Sequence, residues 1–403
     1  MKADIVNLDW TDHNTIELLE NGADYFPSLC QAIDEARFSV QLETYIFIFD
    51  RTGERVLQSL ERAARRGVNV RVIVDGFGSA GTAAVLRERV TRSGGFCSIY
   101  RPEPPWYRRF VPSRKRLRRL HRKVTVVDGK VAFIGGINIV DDYDDLDLND
   151  GIPAPRFDFA VRVTGPLVAY TVYAQELLWM RVNWGQLRPN PQNWSRIRKL
   201  WSRKPVAPAS GKQRAALVLR DNVRYRQTFE RAYLFGIQHA KHDILIANAY
   251  FFPGGQFRKA LLSAAARGVR VRLLLQGKIE YHLQYYATRS LYDSLLQGGI
   301  EIYEYMPSYL HAKVAVIDDM AMVGSSNLDP FSLLLAREAN VLVDDLAFAQ
   351  RLQGCLEAGI RAGGRMVRPS EYEQRGWWRR LVDGLSYRLL RIGVALTGRS
   401  REY

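Results

Sequence analysis

Cysteine is scarce in this chain, and long apolar runs are missing from it. The three cysteines, Cys30, Cys97 and Cys355, are an odd and scattered set, which argues against a disulfide framework and against a zinc site. No run of about 18 apolar residues occurs, so no transmembrane helix is expected. The first residues, MKADIVNLDWTDHN, contain no apolar core of a signal peptide. A reducing cytoplasm is the simplest compartment for such a chain.

Acidic residues are outnumbered, since 58 lysines and arginines face 42 aspartates and glutamates and give a formal net charge of +16. A surface with this surplus attracts polyanions, either nucleic acid or an anionic bilayer, and charge alone does not choose between them. The 403 residues, 47% of them hydrophobic, suffice for a sizeable core in two domains or in one large duplicated unit.

Only six histidines are present, yet one of them begins a polar pattern in the second half of the chain. Residues 309–329 read YLHAKVAVIDDMAMVGSSNLD and contain His311, Lys313 and Asp318. The apolar residues between them predict a buried strand, in which His311 and Lys313 project from the same face. The Gly-Ser-Ser-Asn turn that follows adds backbone N–H groups and the amide of Asn327. An imidazole, an ammonium and an amide on one surface suit a phosphate ester.

The pattern occurs a second time, upstream, in the segment LHRKVTVVDGKVAFIGGIN. A single H-x-K pair would be weak evidence, because a lone histidine in an apolar strand is usually a packed core residue. Two copies of H-x-K-x4-D, each followed by a glycine-rich turn and an asparagine, favour a functional site. The candidate catalytic residues are His121, Lys123, Asp128, His311, Lys313 and Asp318, and the candidate substrate-binding residues are Asn138 and Asn327.

This duplicated motif resembles the phospholipase D superfamily, whose mark is two H-x-K-x4-D motifs, each with a downstream G-[GS]-x-N. The likeness covers residues 14–378, and within the superfamily the chain is similar to bacterial cardiolipin synthases of the type without N-terminal membrane spans. Supporting stretches are LETYIF at 42–47, LRDN at 219–222, IANAYFFPG at 246–254 and VGSSNLDP at 323–330. The resemblance implies phosphatidyl transfer to a hydroxyl of phosphatidylglycerol, with phosphatidylglycerol or, by family analogy, phosphatidylethanolamine as the donor.

The resemblance also implies roles for individual residues. His121 would be the nucleophile that forms a phosphohistidine and His311 the acid and base, although the sequence itself treats the two histidines alike. Two acids in corresponding places of the two halves, Asp158 and Glu338, would hydrogen-bond the catalytic imidazoles. Asp128 and Asp318 are expected to hold the motifs together rather than to touch substrate. Two lysines and two asparagines can stabilise the phosphoryl oxygens, so neither a metal nor a cofactor is expected.

Repetition extends beyond the two motifs. ARRGVNVRVIVDG at 64–76 returns as AARGVRVRLLLQG at 265–277. Strands that alternate with helices in both halves predict an α/β fold of two homologous phospholipase D-like lobes, each a mixed β-sheet flanked by helices. The resemblance places the active site at the lobe interface. The predicted division is a lobe at 1–185, a basic linker at 186–212, a lobe at 213–370 and a tail at 371–403.

The tail predicts a basic amphipathic helix. Its apolar residues recur at helical spacing and form one stripe, made of Trp378, Leu381, Val382, Leu385, Leu389, Ile392 and Leu396. Arg379, Arg380 and Arg391 lie opposite, which favours a helix in the bilayer interface over the alternative of a terminal helix packed on the core. The expected partners are phospholipid substrates and an anionic membrane surface, at the cytoplasmic face of the bacterial inner membrane. The sequence leaves the oligomeric state open.

Three other segments allow more than one interpretation. The basic and aromatic stretch at 101–123 is typical of a rim that attracts lipid headgroups, which is favoured over a solvated loop, and a nucleic-acid groove would have the same composition. The acidic stretch at 141–150 suggests calcium but fails the spacing of an EF-hand, so a solvated loop without metal is expected. The apolar residues from Trp194 to Trp201 form either an interfacial helix or a helix docked on the body.

Three other functions compete with phosphatidyl transfer. A phospholipase D hydrolase would use the same motifs with water as the acceptor. A nuclease or other phosphodiesterase would also suit the basic charge, but the amphipathic tail and the supporting stretches make nucleic acid an unlikely partner. A basic binding module with a relic site is disfavoured because both motifs are intact.

Overall fold

The computed structural model describes residues 8–104, 118–143, 154–183, 208–221, 225, 227–330, 335–373 and 376–396. Most of the basic stretch at 101–123, most of the acidic stretch at 141–150, and the pattern from Trp194 to Trp201 therefore lie outside the described residues. The same holds for the predicted linker apart from residues 208–212.

The chain divides into two compact units. The N unit consists of Asp9–Asp141 and Ala160–Leu217, and the C unit consists of Asp142–Phe159 and Val218–Tyr403 together with residues before Asp9. Asp142, Tyr143 and residues 154–159 thus pack with the C unit, although they come before the linker in the sequence.

The N unit is built on a sheet in the order β8-β1-β7-β6-β5-β2-β3-β4. Its strands are β1 (Trp10–Glu20), β2 (Ser39–Thr44), β3 (Asn69–Asp75), β4 (Phe96–Tyr100), β5 (Val124–Val127), β6 (Val131–Gly135), β7 (Phe159–Thr164) and β8 (Gln213–Arg220). Its helices are α1 (Asn21–Glu35), α2 (Arg51–Arg65), α3 (Ala83–Arg92) and α4 (Leu167–Asn183). Strands β2, β3 and β4 run parallel, and β5 pairs with β2 in the antiparallel direction.

The C unit repeats this plan in the order β15-β11-β10-β9-β12-β13-β14. Its strands are β9 (Asp243–Asn248), β10 (Arg270–Gln276), β11 (Glu301–Tyr305), β12 (Lys313–Ile317), β13 (Met320–Gly324), β14 (Glu338–Asp344) and β15 (Gly364–Met366). Its helices are α5 (Thr228–His239), α6 (Gly255–Ala266), α7 (His282–Arg289), α8 (Tyr292–Gln297), α9 (Leu346–Gly363), α10 (Pro369–Glu373) and α11 (Trp377–Leu396).

Strand pairing shows that the two units are copies of one design. Strands β9, β10 and β11 are parallel, and β12 pairs antiparallel with β9, as β5 does with β2. Each motif continues into a hairpin, β5–β6 in the N unit and β12–β13 in the C unit. The predicted α/β fold of two homologous halves, each a mixed sheet with flanking helices, is confirmed.

Local sequence explains why these elements form where they do. Every residue of β5 and β12 is buried, as expected for short runs rich in valine that are covered on both faces. Helix α2 begins at an N-cap, where the Asp50 carboxylate accepts the N–H of Gly53 at 2.7 Å. It ends before Gly67, whose φ of 84° is the left-handed conformation that glycine adopts without strain.

The C-terminal helix α11 presents its predicted apolar stripe to solvent. Trp378, Leu381, Leu385, Leu389 and Ile392 each expose more than half of their surface. The helix docks on α7 instead through a different face, where Asp383, Ser386 and Leu390 are buried. The sequence allowed either a helix packed on the core or a helix with an exposed apolar stripe. In the structure, α11 packs on α7 through one face and exposes the apolar stripe on another. Among the described residues, no helix is both long enough and apolar enough to cross a bilayer.

Candidate active site

The aspartate of each motif lies in the turn of a hairpin and ties it to the neighbouring strand. Asp128 and Asp318 adopt φ values of 53° and 49°, which aspartate tolerates better than most residues. The Asp128 carboxylate accepts three backbone N–H groups, from residues 37, 38 and 39, at 2.7–2.9 Å. The Asp318 carboxylate accepts the N–H groups of residues 241, 242 and 243 at 2.8–3.0 Å. Both carboxylates therefore fasten the motif to the start of β2 or of β9.

These hydrogen bonds have an electrostatic consequence for Asp128. Burial alone would raise the pKa of its carboxyl group, but the three backbone donors outweigh burial and hold the pKa below its usual value. An ionised carboxylate that accepts three N–H groups has little capacity left for substrate. We therefore assign the aspartates to the framework of the site.

In the N unit, the first motif is held against the ring of Tyr45. The buried Lys123 donates from Nζ to the carbonyl of His121 at 2.9 Å. The Tyr45 ring centroid lies 4.9 Å from that of the His121 imidazole and 5.4 Å from Lys123 Nζ. The side chain of Asn138 accepts the N–H of Ile46 through Oδ1 at 3.3 Å. The imidazole and the ammonium of this motif thus meet at one aromatic side chain. They precede β5, which begins only at Val124, so the predicted strand does not include His121 or Lys123.

Tyr45 was not among the candidate residues of the sequence. A signal for it exists, because Glu43, Thr44 and Tyr45 correspond in the repeat to Asn248, Ala249 and Tyr250. An aromatic residue that recurs within two residues of the end of a buried strand in both halves is positioned to line a site.

In the C unit, His311 is paired with an acid. Its Nδ1 lies 2.6 Å from Oδ2 of Asp158, whose Oδ1 accepts the N–H of Phe159 at 2.8 Å. The backbone fixes this register, because the N–H of His311 donates to the carbonyl of Phe157 at 2.9 Å. Nδ1 donates to the carboxylate, so Nε2 is the ring nitrogen through which His311 would act on a substrate.

The two predicted orienting acids have different surroundings. Asp158 comes from the first half of the sequence but pairs with the histidine of the second half, because the described residues 154–159 belong to the C unit. Glu338, at the start of β14, is fully buried and accepts the hydroxyl of Ser325 at 2.6 Å. Its hydrogen bond to a catalytic imidazole stays a prediction.

Replacing Asp158 by asparagine tests the acid at His311. The amide keeps the shape of the carboxylate but lacks the charge that stabilises an imidazolium, so we expect kcat to fall by roughly 100-fold with KM little changed. Steady-state kinetics measures both values. Asp319→Asn, at an exposed position of the β12–β13 turn, is the matched control, and a loss of the same size in both variants would contradict the role of Asp158.

Lys313 is buried almost completely. Burial lowers the pKa of its ammonium group to about 8, and Asp158, Glu280 and Glu338 nearby counter part of that effect. Its Nζ donates to the carbonyl of His311, as Lys123 Nζ does to His121 in the first motif. A charged ammonium in a dry site interacts strongly with a phosphate.

The depressed pKa of Lys313 predicts opposite effects on activity and stability. Above about pH 8 the ammonium loses its proton, so kcat/KM should fall. The folded pKa lies below the unfolded value of about 10.4, so the charged form destabilises the fold below pH 8 by about 3 kcal/mol. Lys313→Met should therefore abolish turnover yet raise the free energy of unfolding at pH 7. Denaturant titrations at pH 7 and pH 10.5 should show this gain shrinking, and a gain independent of pH would contradict it.

The turn of the second motif is packed against Asn340, a residue that sequence reasoning missed. Its Oδ1 accepts the N–H of Ser326 at 3.2 Å, and its Nδ2 donates to the Ser326 hydroxyl at 2.8 Å. A Cβ on Gly324 would lie 2.0 Å from Asn340 Oδ1, so only glycine fits. The buried Asn327 follows directly in this turn, and its position depends on that close approach.

The chain resembles known proteins along most of its length. A family model described as "Cardiolipin synthase, PLD-like domain" matches residues 29–150 and 234–358. Cardiolipin synthase B of Escherichia coli (strain K12) is 38% identical over 393 residues, which cover 96% of this chain and 91% of that protein. The major cardiolipin synthase ClsA of Bacillus subtilis (strain 168) is 28% identical to this chain. The matched region covers 94% of this chain and 75% of that protein.

Among solved structures, phosphatidylserine synthase of Haemophilus influenzae has the same fold. Its TM-score is 0.69 at 16% sequence identity, over 98% of this chain and 97% of that one.

A duplicated α/β fold in which each half carries one H-x-K-x4-D motif defines an enzyme of the phospholipase D superfamily. The family match and the identity of 38% along nearly the whole chain narrow this class: the chain belongs to the cardiolipin synthases of that superfamily, which are phosphatidyltransferases. The resemblance stated from the sequence is thereby confirmed.

Proposed function

We propose that this enzyme makes cardiolipin from two molecules of phosphatidylglycerol through a phosphohistidine. The observation that carries the proposal is the His311–Asp158 pair beside the buried Lys313, in a chain that repeats the same motif at His121 and Lys123. One phosphodiester is exchanged for another when a nucleophile and a proton donor reach opposite sides of the phosphorus. The proposal therefore requires both imidazoles to act on one phosphoryl group.

In the first step, the His121 imidazole attacks the phosphorus of the donor lipid. The P–N bond forms, the P–O bond to glycerol breaks, and protonated His311 gives its proton to the departing oxygen. In the second step, a hydroxyl of another phosphatidylglycerol passes its proton to His311 and attacks the phosphorus, which frees His121. The carboxylate of Asp158 supports this division of roles, because it stabilises the imidazolium that a proton carrier must become.

Four side chains are proposed to stabilise the negative charge on the phosphoryl oxygens. Lys123 and Lys313, with the amides of Asn138 and Asn327, would stabilise the oxygens that do not react. All four side chains are buried, where electrostatic interactions are stronger than in water. No metal ion or cofactor is needed in this scheme.

The exposed stripe of α11 supports attachment to a membrane surface. A helix with an apolar face towards solvent and basic residues such as Arg388 and Arg391 beside it is suited to lie in the interface of an anionic bilayer. We place the enzyme at the cytoplasmic face of the bacterial cell membrane, where its phospholipid substrates lie. Phosphatidylethanolamine is the alternative donor to be tested.

The decisive experiment incubates the purified enzyme with labelled phosphatidylglycerol vesicles, with and without phosphatidylethanolamine and with and without a chelator. We expect labelled cardiolipin and free glycerol, in amounts that the chelator does not change. Phosphatidic acid as the main product would make the enzyme a hydrolase. At matched salt, the enzyme should bind duplex DNA more weakly than anionic vesicles, and it should not cleave the DNA.

A further inference from the structure

A cavity in the C unit lies beside the segment that carries His311 into β12. It is partly open to solvent, and its lining includes Ala249, Tyr250, Gln276, Glu280, Tyr281 and Gln284. Two lining residues hold the backbone on either side of His311. Gln276 Oε1 accepts the N–H of Leu310 at 2.8 Å, and the N–H of Ala249 donates to the carbonyl of Ala312 at 3.0 Å. The cavity therefore adjoins the backbone on both sides of His311.

The cavity wall offers a donor and an acceptor that are not used within the part of the chain that the structure describes. Gln276 is 8% exposed, and its Nε2 has no hydrogen-bond partner among those residues. The same is true of Oε1 of Gln284, on α7. Buried polar atoms are nearly always hydrogen-bonded, so an unmatched amide donor and an unmatched amide acceptor in one cavity point to a ligand that supplies both partners. A hydroxyl group both accepts and donates.

The corresponding residue of the N unit offers no such unmatched donor. Asp75 occupies the place of Gln276 in the repeat, at the end of β3, and its Oδ2 accepts the N–H of Leu120 at 2.8 Å. Its Oδ1 is also occupied, by the N–H groups of Phe77 and Gly78 at 2.8 and 3.2 Å. The structural hydrogen bond next to the histidine is thus the same in both units. Only glutamine, in the C unit, adds an unused donor.

The remaining lining is polar and aromatic. The Tyr250 hydroxyl donates to Oε2 of Glu280 at 2.5 Å, and the rings of Tyr250 and Tyr281 meet edge to face with centroids 5.8 Å apart. Glu280 is also one of the charges that counter the effect of burial on the pKa of Lys313, which places the cavity within electrostatic reach of the site. Tyrosine rings with carboxylate and amide groups suit a small hydroxylated molecule rather than acyl chains.

We propose that this cavity binds the glycerol headgroup, both as it leaves the donor lipid and as it enters with the acceptor lipid. The inference rests on the proposed function and deepens it. Leaving and entering alcohols exchange a proton with the same group, so they occupy the same subsite when His311 is that group. Hydrogen bonds from Gln276 and Gln284 to the glycerol hydroxyls favour a polyol over water at the phosphohistidine. The subsite therefore sets the ratio of transfer to hydrolysis.

Two variants of the full-length enzyme test the subsite. Gln276→Glu keeps the acceptor for the Leu310 N–H, as Asp75 does in the N unit, but replaces the Nε2 donor by an acceptor. Gln284→Leu removes the acceptor on α7. Gln297→Glu, at an exposed position of α8, is the matched control for an added charge. The assay measures incorporation of labelled glycerol or labelled 1-propanol into the phosphatidyl group of phosphatidylglycerol vesicles, together with release of phosphatidic acid.

We expect the parent enzyme and the Gln297 variant to prefer glycerol to 1-propanol. Both cavity variants should lower the ratio of glycerol product to propanol product at least fivefold, raise the KM for glycerol about tenfold, and release a larger share of phosphatidic acid. Gln284→Leu decides the matter if Gln276→Glu fails to fold, as judged by thermal melting.

The outcomes separate the subsite from the proposed function. An unchanged product ratio in folded cavity variants overturns the subsite even if cardiolipin forms, and so does a parent enzyme that incorporates no glycerol. If the parent enzyme incorporates glycerol, the cavity variants lose the preference for it, and no enzyme forms cardiolipin, the subsite is supported and the proposed lipid acceptor is overturned.

Discussion

Alanine at either His121 or His311 should stop cardiolipin formation, with a rate at least roughly 10³-fold below that of the parent enzyme. One histidine must carry the phosphatidyl group and the other must move protons, so neither can replace the other. Product formation from labelled phosphatidylglycerol measures the loss, and vesicle binding should be unchanged in both variants. Activity above a few per cent in either variant would contradict the paired mechanism.

A matched control is available for these histidines. His239 is exposed near the end of α5, where its Nδ1 lies 2.8 Å from the carbonyl of Phe235. His239→Ala should keep full activity, because the lysine two residues further on, Lys241, is exposed, whereas Lys123 and Lys313 are buried. Equal losses in all three variants would show a general effect on folding.

A phosphatidyl donor with a nitrophenol leaving group separates the two roles. Nitrophenolate leaves without a proton, so His311→Ala should still release it and then accumulate phosphohistidine at His121. His121→Ala should remain inactive on this donor, because the nucleophile is missing. If the His121 variant releases nitrophenolate and the His311 variant does not, His311 is the nucleophile and His121 is the acid and base.

The second large effect is expected on membrane binding. Replacing Leu381, Leu385 and Leu389 by serine removes three exposed leucines from α11 without touching its docked face. Full burial of one leucine is worth about 1.5–3 kcal/mol, so even partial insertion of three contributes about 3 kcal/mol, or roughly 100-fold in partitioning. Sedimentation with anionic vesicles should show this loss. Activity on detergent-dispersed substrate should be kept, because the site is intact.

The control for this experiment removes equally exposed apolar groups elsewhere. Phe38, Val85 and Phe96 in the N unit expose 68%, 47% and 57% of their surface, and replacing them by serine should leave vesicle binding unchanged. Truncation before Trp377 should also release the enzyme, but it uncovers α7 as well and is therefore harder to interpret. Unchanged sedimentation of the α11 variant would refute the proposed attachment.

Much of the molecule could be predicted from local patterns. The two H-x-K-x4-D motifs and the repeated helix–Gly–strand segment are short-range features, and they predicted the duplicated α/β halves that the structure shows. The place of Asp128 and Asp318 in the framework was also expected, although their hydrogen bonds to β2 and β9 are visible only in the fold.

Other features depended on which segments pack together. The sequence put Asp158 and Glu338 in corresponding places but did not show that Asp158 meets His311, because that contact joins residues 153 positions apart. The apolar stripe of α11 fitted both a packed helix and a membrane-facing helix. Only the burial of Asp383, Ser386 and Leu390 shows which face docks.

The sequence by itself therefore determined the candidate site residues, namely two histidine–lysine pairs with turn asparagines, and the repeat that carries them. These features follow from residue type and spacing, which local backbone geometry converts directly into shared faces and turns. Tertiary structure alone decided which acid orients His311, which polar atoms of the cavity stay unmatched, and which face of the last helix meets solvent. Each of these depends on long-range burial, and burial is a property of the packed chain that no single segment encodes.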